Sequence, residues 1–394
     1  MGRMEFPVIV VGGGAAGMMA AATSGKGTLL LEKNSRLGIK LGITGNGRCN
    51  MTNDCDVEQL IEKTLRNPYF LYSAFYALPP SQIVTLFNKL GVKTKVEDSG
   101  RVFPVSDKSS EVVNALAGYM EQQGVEVRLN SDVANITKNG DGVFCVELSG
   151  GDILYSKKVI LATGGLSYPT TGSTGAGFRF AKTLGHTIID TYPTLAPLVC
   201  NEPWIGDLMG VSLSNVEMTA GYFRGIGDMV FTHFGISGPL AITANGYIKG
   251  GKITINTAPW LSHQKFLDEF TKNPNRDIRN TLSGFLPRAI TPIILKLANI
   301  PNDKKVNSIT KDERSRLIAQ IQGLTLTVTG NRGYKEAVIT AGGVCVDEIN
   351  PSTMESKITQ GLHFAGEIMD VHATTGGYNL QIAFSTGYLA GLER

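Results

Sequence analysis

Apolar residues follow two rhythms along this chain. Residues 8–11 and 28–31 are short, nearly unbroken apolar runs, the pattern of strands buried on both faces of a parallel sheet. Between them, Ala15-Ala16-Gly17-Met18-Met19-Ala20-Ala21-Ala22 is small and apolar, which predicts a helix packed closely on that sheet. A third run at 158–162 leads into Thr163-Gly164-Gly165, and a short one at 362–365 meets Gly366-Glu367. Helical patterns fill 57–92, 109–123 and 176–185, with Pro79-Pro80-Ser81 breaking the first and Ser81 placed as an N-cap. Strands are predicted at 125–129, 132–137 and 143–148, the last two joined by Asn139-Gly140-Asp141-Gly142, and a short hairpin turns about Asp98-Ser99-Gly100. Strands alternating with helices predict an α/β fold with a parallel sheet.

The rhythm changes near residue 192. Alternating stretches at 211–218, 228–232 and 252–256 predict an antiparallel β region. Residues 262–322 read as helical and more charged, and Thr310-Lys311-Asp312-Glu313 is a capping box opening the last of those helices. From 326 the first character returns: Ala337-Val338-Ile339-Thr340-Ala341-Gly342-Gly343-Val344, then the strand at 362–365, then a final helix at 377–390. The expected division is 1–191, a β-rich insertion at 192–261, a helical insertion at 262–325, and 326–394 returning to the β region and to the first part.

Candidate chemistry begins at the first strand–helix junction. Gly12, Gly14 and Gly17 stand at the positions of G-x-G-x-x-G. The first glycine allows the tight turn, the second lets backbone approach a pyrophosphate, and the third lets the helix pack on the strand. Glu32 follows twenty residues after Gly12, where a ribose-binding carboxylate is expected. Residues 33–53 show no helical or strand period and read as a long glycine-rich loop, in which Gly45, Gly47, Arg48 and Asn50 suit a polar ligand. Thr163-Gly164-Gly165 ends a parallel strand and is expected to face the same crevice as Gly12.

Composition narrows the class. The chain has 394 residues, 42% hydrophobic, with a net charge of +3. That balance argues against a nucleic-acid or anionic-membrane partner, and no apolar run approaches the ~20 residues of a membrane span. Five scattered cysteines, Cys49, Cys55, Cys145, Cys200 and Cys345, form no C-x-x-C and no metal-ligand spacing with the five histidines. The first strand starts close to the N-terminus, which leaves little room for a leader. A reduced cytoplasmic protein, monomeric or a small homo-oligomer, without a metal, is expected.

Four further motifs complete the picture: Gly45-Asn46-Gly47-Arg48-Cys49-Asn50-Met51-Thr52-Asn53, Phe231-Thr232-His233-Phe234-Gly235-Ile236-Ser237-Gly238-Pro239, Thr340-Ala341-Gly342-Gly343-Val344 and Thr375-Gly376-Gly377-Tyr378-Asn379-Leu380. In this order the chain resembles the BaiN/YhiN-type family of bacterial NAD(P)/FAD-dependent oxidoreductases, within the two-dinucleotide-binding-domain flavoproteins. The resemblance implies a Rossmann-like FAD-binding domain interrupted by a barrel-like antiparallel β part and a helical part. It implies tight, non-covalent FAD: Gly12, Gly14, Ala15, Ala16 and Gly17 at the pyrophosphate, and Glu32 at the adenosine ribose. Lys33, Lys40 and Arg48 are implied at phosphate or ribose, with Gly47, Cys49 and Asn50 in the same loop. Val133, in the strand after the long helix, is implied at adenine, Thr163 and Gly164 at the second cofactor strand, and Gly366, Glu367 and Asp370 at the ribityl chain and pyrophosphate. Some relatives are linked to reduction of unsaturated steroid ketones.

Flavin chemistry belongs to the cofactor; the protein supplies position and electrostatics. Gly377, Tyr378, Asn379 and Leu380 open the final helix and would aim N–H groups and the dipole at the flavin N1–C2=O edge. His233 is the candidate proton donor, with Tyr168 and Tyr378 behind it. No strand precedes Gly172-Ser173-Thr174-Gly175-Ala176-Gly177, so NAD(P)H is expected to dock transiently rather than in a domain of its own. The expected reaction is a reduction of a small unsaturated or keto substrate; Trp204, Tyr222, Phe223, Phe231 and Phe234 are consistent with an apolar substrate and equally with core packing. Two alternatives stand beside it: a flavin disulfide reductase using Cys49 and Cys55, and a non-redox or tRNA-associated FAD protein.

Overall fold

The computed structural model describes residues 4–392. Two compact units divide the chain: one runs to Pro193 and resumes at Ala337, the other is Thr194–Glu336.

The first unit is built on a seven-stranded sheet. Its strands are β1 (Glu5–Val11), β2 (Thr28–Leu31), β3 (Glu126–Arg128), β4 (Val133–Lys138), β5 (Phe144–Leu148), β6 (Ile153–Leu161) and β7 (Leu362–Phe364). The order is β3-β2-β1-β6-β5-β4, with β7 also on β6. β6 is the longest of these strands and does two jobs. Its first half pairs antiparallel with β5, and its last three residues pair parallel with β7. Every side chain of residues 29–31 is buried, which is why β2 reads as a run rather than an alternation. The helix Ala15–Ser24 is buried from Ala16 to Ala22. It is apolar all round because the sheet lies on one side and the last helix, Tyr378–Gly391, on another.

The second unit holds a closed barrel of six strands. Going round, these are Leu198–Cys200, Gly235–Ser237, Phe223–Thr232, Ser212–Ala220, Gly251–Asn256 and Leu324–Asn331, which closes on the first. Helices at His263–Lys272, Ile278–Leu282, Thr291–Leu297 and Lys311–Gln322 enter between the last two strands. The Thr310 capping box forms: Glu313 N–H donates to Thr310 Oγ1 at 3.2 Å and Thr310 N–H to Glu313 Oε2 at 2.9 Å. Leu324–Asn331 belongs to the barrel although it straddles the boundary expected at 325.

Two local expectations change. The stretch 33–53 is not one loop: Ile39–Ile43 is a short helix anchored by the buried Leu41, and Thr44–Gly47 a tight turn. Ser81 caps nothing. Pro79 is the N-cap and Pro80 takes the first helical position, where the missing N–H costs least and the ring pre-sets φ. Among the described residues no helix is long and apolar enough to cross a membrane.

Candidate cofactor site

Parallel register brings the sequence motifs to one edge. Val11 lies opposite Leu31 and Leu161, and Leu161 opposite Phe364. The residues that follow each strand, Gly12 to Gly14, Glu32, Thr163-Gly164 and Gly366-Glu367, therefore emerge side by side at the carboxyl ends, where open α/β sheets bind ligands.

The glycines at the first junction serve different ends. A Cβ on Gly17 would lie 1.8 Å from the Gly12 carbonyl oxygen, and one on Gly12 2.6 Å from the Ala162 oxygen. A Cβ on Gly14 would meet nothing within 4 Å. Gly14 is also the N-cap of the first helix, which carries no side-chain cap. The first bond of that helix is Met18 N–H to Gly14 C=O at 2.9 Å, so the N–H groups of Ala15, Ala16 and Gly17 have no intrahelical acceptor. Open space facing free N–H groups at the positive end of a helix fits a pyrophosphate.

Glu32 closes one side. Its Oε2 accepts from Gly13 N–H at 2.7 Å, and its Oε1 from the Asn34 N–H at 2.8 Å and Nδ2 at 2.7 Å. An ionised carboxylate has about four acceptor positions, which leaves one for a ribose hydroxyl. Lys33 Nζ donates to Thr174 Oγ1 at 3.0 Å, tying this corner to the 168–175 segment. Lys40 Nζ pairs with Glu367 Oε2 at 2.6 Å, and Glu367 Oε1 accepts from Thr340 N–H at 2.8 Å. Gly366 N–H donates to Thr386 Oγ1 at 2.9 Å. Asp370 is buried; its Oδ2 accepts from Arg66 Nε at 2.9 Å and Asn67 Nδ2 at 3.2 Å.

Several side chains are placed otherwise than expected. Arg48 does not face a phosphate. It bridges Glu97 and Asp107 and lies 4.1 Å over the Phe103 ring, latching its loop to the neighbouring hairpin. Cys49 is wholly buried, and burial pushes its thiol up to about 12, while Cys55, half-buried, rises to about 11. Both are free thiols; neither is the ready thiolate a disulfide reductase needs. Val133 opens β4, the second of the strands predicted after the long helix. The Thr163 hydroxyl is turned to the helix at Gly177, where a Cβ would come within 2.0 Å of it; what Thr163 and Gly164 could offer a ligand is backbone.

The last helix opens on Gly376 and Gly377, both at positive φ (+126° and +100°). A Cβ on Gly377 would sit 2.3 Å from Thr52 O and 3.0 Å from Asn50 Oδ1. That Asn50 oxygen is buried and has no partner, so it is an acceptor beside an uncapped helix N-terminus. The Asn379 side chain is fully used: it accepts from Ala373 N–H at 2.9 Å and donates to Ala373 O at 2.9 Å and Thr374 O at 3.1 Å. Burial holds the Tyr378 hydroxyl above its ordinary range, so it stays protonated. Leu380 packs on the core. What Gly377, Asn379 and Leu380 could present is therefore main-chain N–H, while Tyr378 keeps a protonated hydroxyl.

Sequence reasoning passed over three groups. Gln381, fully buried, donates from Nε2 to Leu78 O and to Ser385 Oγ, both at 2.8 Å, and receives the Thr52 hydroxyl. A glutamine inside an apolar helix was the available signal. Arg66, the Asp370 partner, had none, since 304 residues separate the two. His372 is buried, its Nδ1 has no partner, and burial pushes it down to about 4 despite the Asp370 carboxylate.

His233 belongs to the second unit and is not on an apolar strand. It lies exposed in the turn between Phe223–Thr232 and Gly235–Ser237, its ring edge-on to Phe234 at 5.0 Å. Phe223 and Phe231 are barrel core, and Tyr222 is exposed at the hairpin tip. Among the described residues no group of three or more His, Cys, Asp or Glu side chains could hold a metal ion.

The HI0933-like protein Rossmann domain family matches residues 6–393. The chain is 32% identical over 392 residues to the ribosomal RNA dihydrouridine synthase of Escherichia coli, covering 98% of this chain and 96% of the relative. It is 29% identical over 378 residues to the 3-dehydro-bile acid delta(4,6)-reductase of Clostridium scindens, covering 92% and 91%. A 3-ketosteroid delta1-dehydrogenase from Sterolibacterium denitrificans superposes with a TM-score of 0.53 at 12% identity over 98% of each chain, a likeness of fold. A Rossmann-type sheet with an open helix N-terminus after β1, a closed barrel in the second unit, and a match along nearly the whole chain lead to one assignment: the protein belongs to the HI0933-like family of FAD-binding oxidoreductases.

Proposed function

We propose that the chain is a reductase that saturates a carbon–carbon double bond conjugated to a carbonyl, with uracil in RNA as its substrate and NAD(P)H as a transient donor. The observation that carries the reading is chemical. Two relatives matching along more than nine tenths of the chain are named for unrelated substrates, a ribosomal RNA uridine and a 3-dehydro-bile acid. The bond is of one kind: C5=C6 of uracil is conjugated to the C4 carbonyl, as the delta-4,6 bonds are to a 3-ketone. RNA is taken first because its namesake is the more similar of the two, a departure from the absence of nucleic acid expected from net charge.

FAD, held here, would supply the hydride chemistry for reduction at the β-carbon of such a substrate. The protein's part is placement and charge. The N–H groups of Ala15, Ala16 and Gly17 would hold the pyrophosphate, and Glu32 would take the ribose. Lys40 and Glu367 would brace the ribityl segment. The N–H groups opening the last helix would stabilise the charge that flavin reduction creates. Asn50 Oδ1, unpartnered beside that helix, would accept a hydrogen bond from the ring system. A proton must reach the α-carbon, and the Tyr378 hydroxyl, held protonated by burial, would donate it.

The test is anaerobic. NADH or NADPH should bleach the visible flavin band of the purified protein, and a uridine-containing ribosomal RNA transcript should restore it with a gain of two hydrogens per base. A bound flavin that neither donor bleaches sinks the reductase reading. Reoxidation by a conjugated steroid ketone and not by RNA selects the second reading, which the Clostridium scindens relative favours. Tyr378→Phe, compared with wild type at substrate reoxidation alone, should slow that step and leave donor-dependent bleaching unchanged.

A further inference from the structure

Charge is unevenly spread along the chain. Residues 262–322 hold eleven Lys and Arg against six Asp and Glu, a net +5, while the chain as a whole is +3 and the remainder is therefore −2. Three of those cations are paired: Lys272 with Glu269 at 2.5 Å, Lys304 with Glu313 at 2.7 Å and Lys305 with Asp277 at 2.6 Å. Eight cations then have no carboxylate partner among the described residues, against three carboxylates without a cation. An ordinary solvated helical surface balances the two signs. This one carries an excess of cations.

The excess is held in place by backbone. Asp277 and Lys305 form an antiparallel bridge, Ile278 N–H donates to Lys304 O at 2.9 Å, and Val306 N–H to Arg276 O at 3.0 Å. Arg276 thereby adjoins the Asp277–Lys305 bridge, and Arg279 follows in the helix Ile278–Leu282; both are exposed. Arg316 Nε donates to Ala298 O at 2.9 Å, which sets it at the end of the helix carrying the exposed Lys296. Trp260, 48% exposed, has Lys265 Nζ 4.6 Å above its ring. An excess of unpaired cations, with an accessible aromatic ring in the same segment, matches a single-stranded polyanion whose bases stack.

We propose that this helical segment of the second unit is the surface on which an RNA strand docks. The proposal rests on the RNA reading of the substrate above. It concerns residues 260–316, which take no part in the cofactor site.

The test uses the FAD-loaded protein and a fluorescently labelled transcript of ribosomal RNA sequence, read by anisotropy over a salt series. Wild type should bind with a steep salt dependence. Arg276→Gln/Arg279→Gln/Lys296→Gln should weaken binding tenfold or more and reduce the slope of log K against log salt by about 2, each cation accounting for roughly 0.7. Its melting temperature and its bleaching by NAD(P)H should match wild type. RNA binding unchanged in affinity and slope in the triple variant overturns the proposal, as does binding to phosphatidylserine vesicles without binding to RNA. The two readings part cleanly. RNA that docks here but is never reduced leaves the surface standing and removes the substrate assignment. Uridine reduced with unchanged KM by the triple variant does the reverse.

Discussion

Gly14 and Gly17 are three residues apart and should respond to one added methyl group in opposite ways. Gly17→Ala drives a Cβ to 1.8 Å from the Gly12 carbonyl, so helix and strand must separate; the expected outcome is a protein recovered mostly insoluble, or with a melting temperature lowered by many degrees. Gly14 has ordinary φ (−82°) and open space around it. Gly14→Ala should fold normally and lose FAD, by tenfold or more in affinity, because the methyl group occupies room the pyrophosphate needs; thermal melts and flavin absorbance per mole of protein read the two effects apart. Cys55→Ser should leave donor-dependent flavin bleaching unchanged, since both thiols of the pair titrate far above neutral pH; a hundredfold loss would return the disulfide alternative. The glycines were legible because their spacing encodes a local turn. Arg48 was not: it reads as a phosphate ligand until Glu97 and Asp107, about fifty and sixty residues on, are folded against it.

At the level of elements, the last helix shows how a local signal and a distant brace combine. Its glycine-rich start marks an N-terminus from sequence. That Asn379 holds residues 373 and 374 rather than a ligand depends on the path of the chain before it. Asn379→Ala removes three hydrogen bonds and leaves the Ala373 N–H without its acceptor. A loss of about 1–3 kcal/mol follows from stranding such a group, measurable by denaturant unfolding, together with weaker FAD retention. Short helices were the hardest to read. Ile39–Ile43 is five residues long, and a single buried leucine holds it; one turn does not establish a period. The barrel strands, by contrast, alternate cleanly because one face is core and the other is wet.

Across the whole molecule, buried histidines set the acid limit. His363 and His372 are both pushed down to about 4, in each case chiefly by burial. The unfolded chain has histidines near 6.5. Above that value both states are neutral and the groups are neutral toward stability. Between about 6.5 and 4 the unfolded state takes up protons that the folded state refuses, so stability falls as pH falls. Each histidine then contributes a loss of roughly 3 kcal/mol by pH 4. Urea midpoints should be level above pH 7 and decline below it, and His372→Gln should flatten that decline; an unchanged pH profile would count against a buried neutral His372.

What the sequence determined by itself was whatever lies within one strand–turn–helix unit. The Gly12, Gly14 and Gly17 spacing, Glu32, the apolar runs of the sheet and the Thr310 capping box all act over fewer than about twenty residues, where backbone geometry alone carries the information. Tertiary structure decided the rest. Register aligned Val11, Leu31, Leu161 and Phe364 so that motifs up to 350 residues apart share one edge. It turned Arg48 and Asn379 from ligands into braces, closed the barrel with a strand that follows the helices, and put His233 in an exposed turn. Those outcomes depend on which distant groups meet, and hydrogen bonds and ion pairs between residues far apart in sequence leave no periodic trace along the chain.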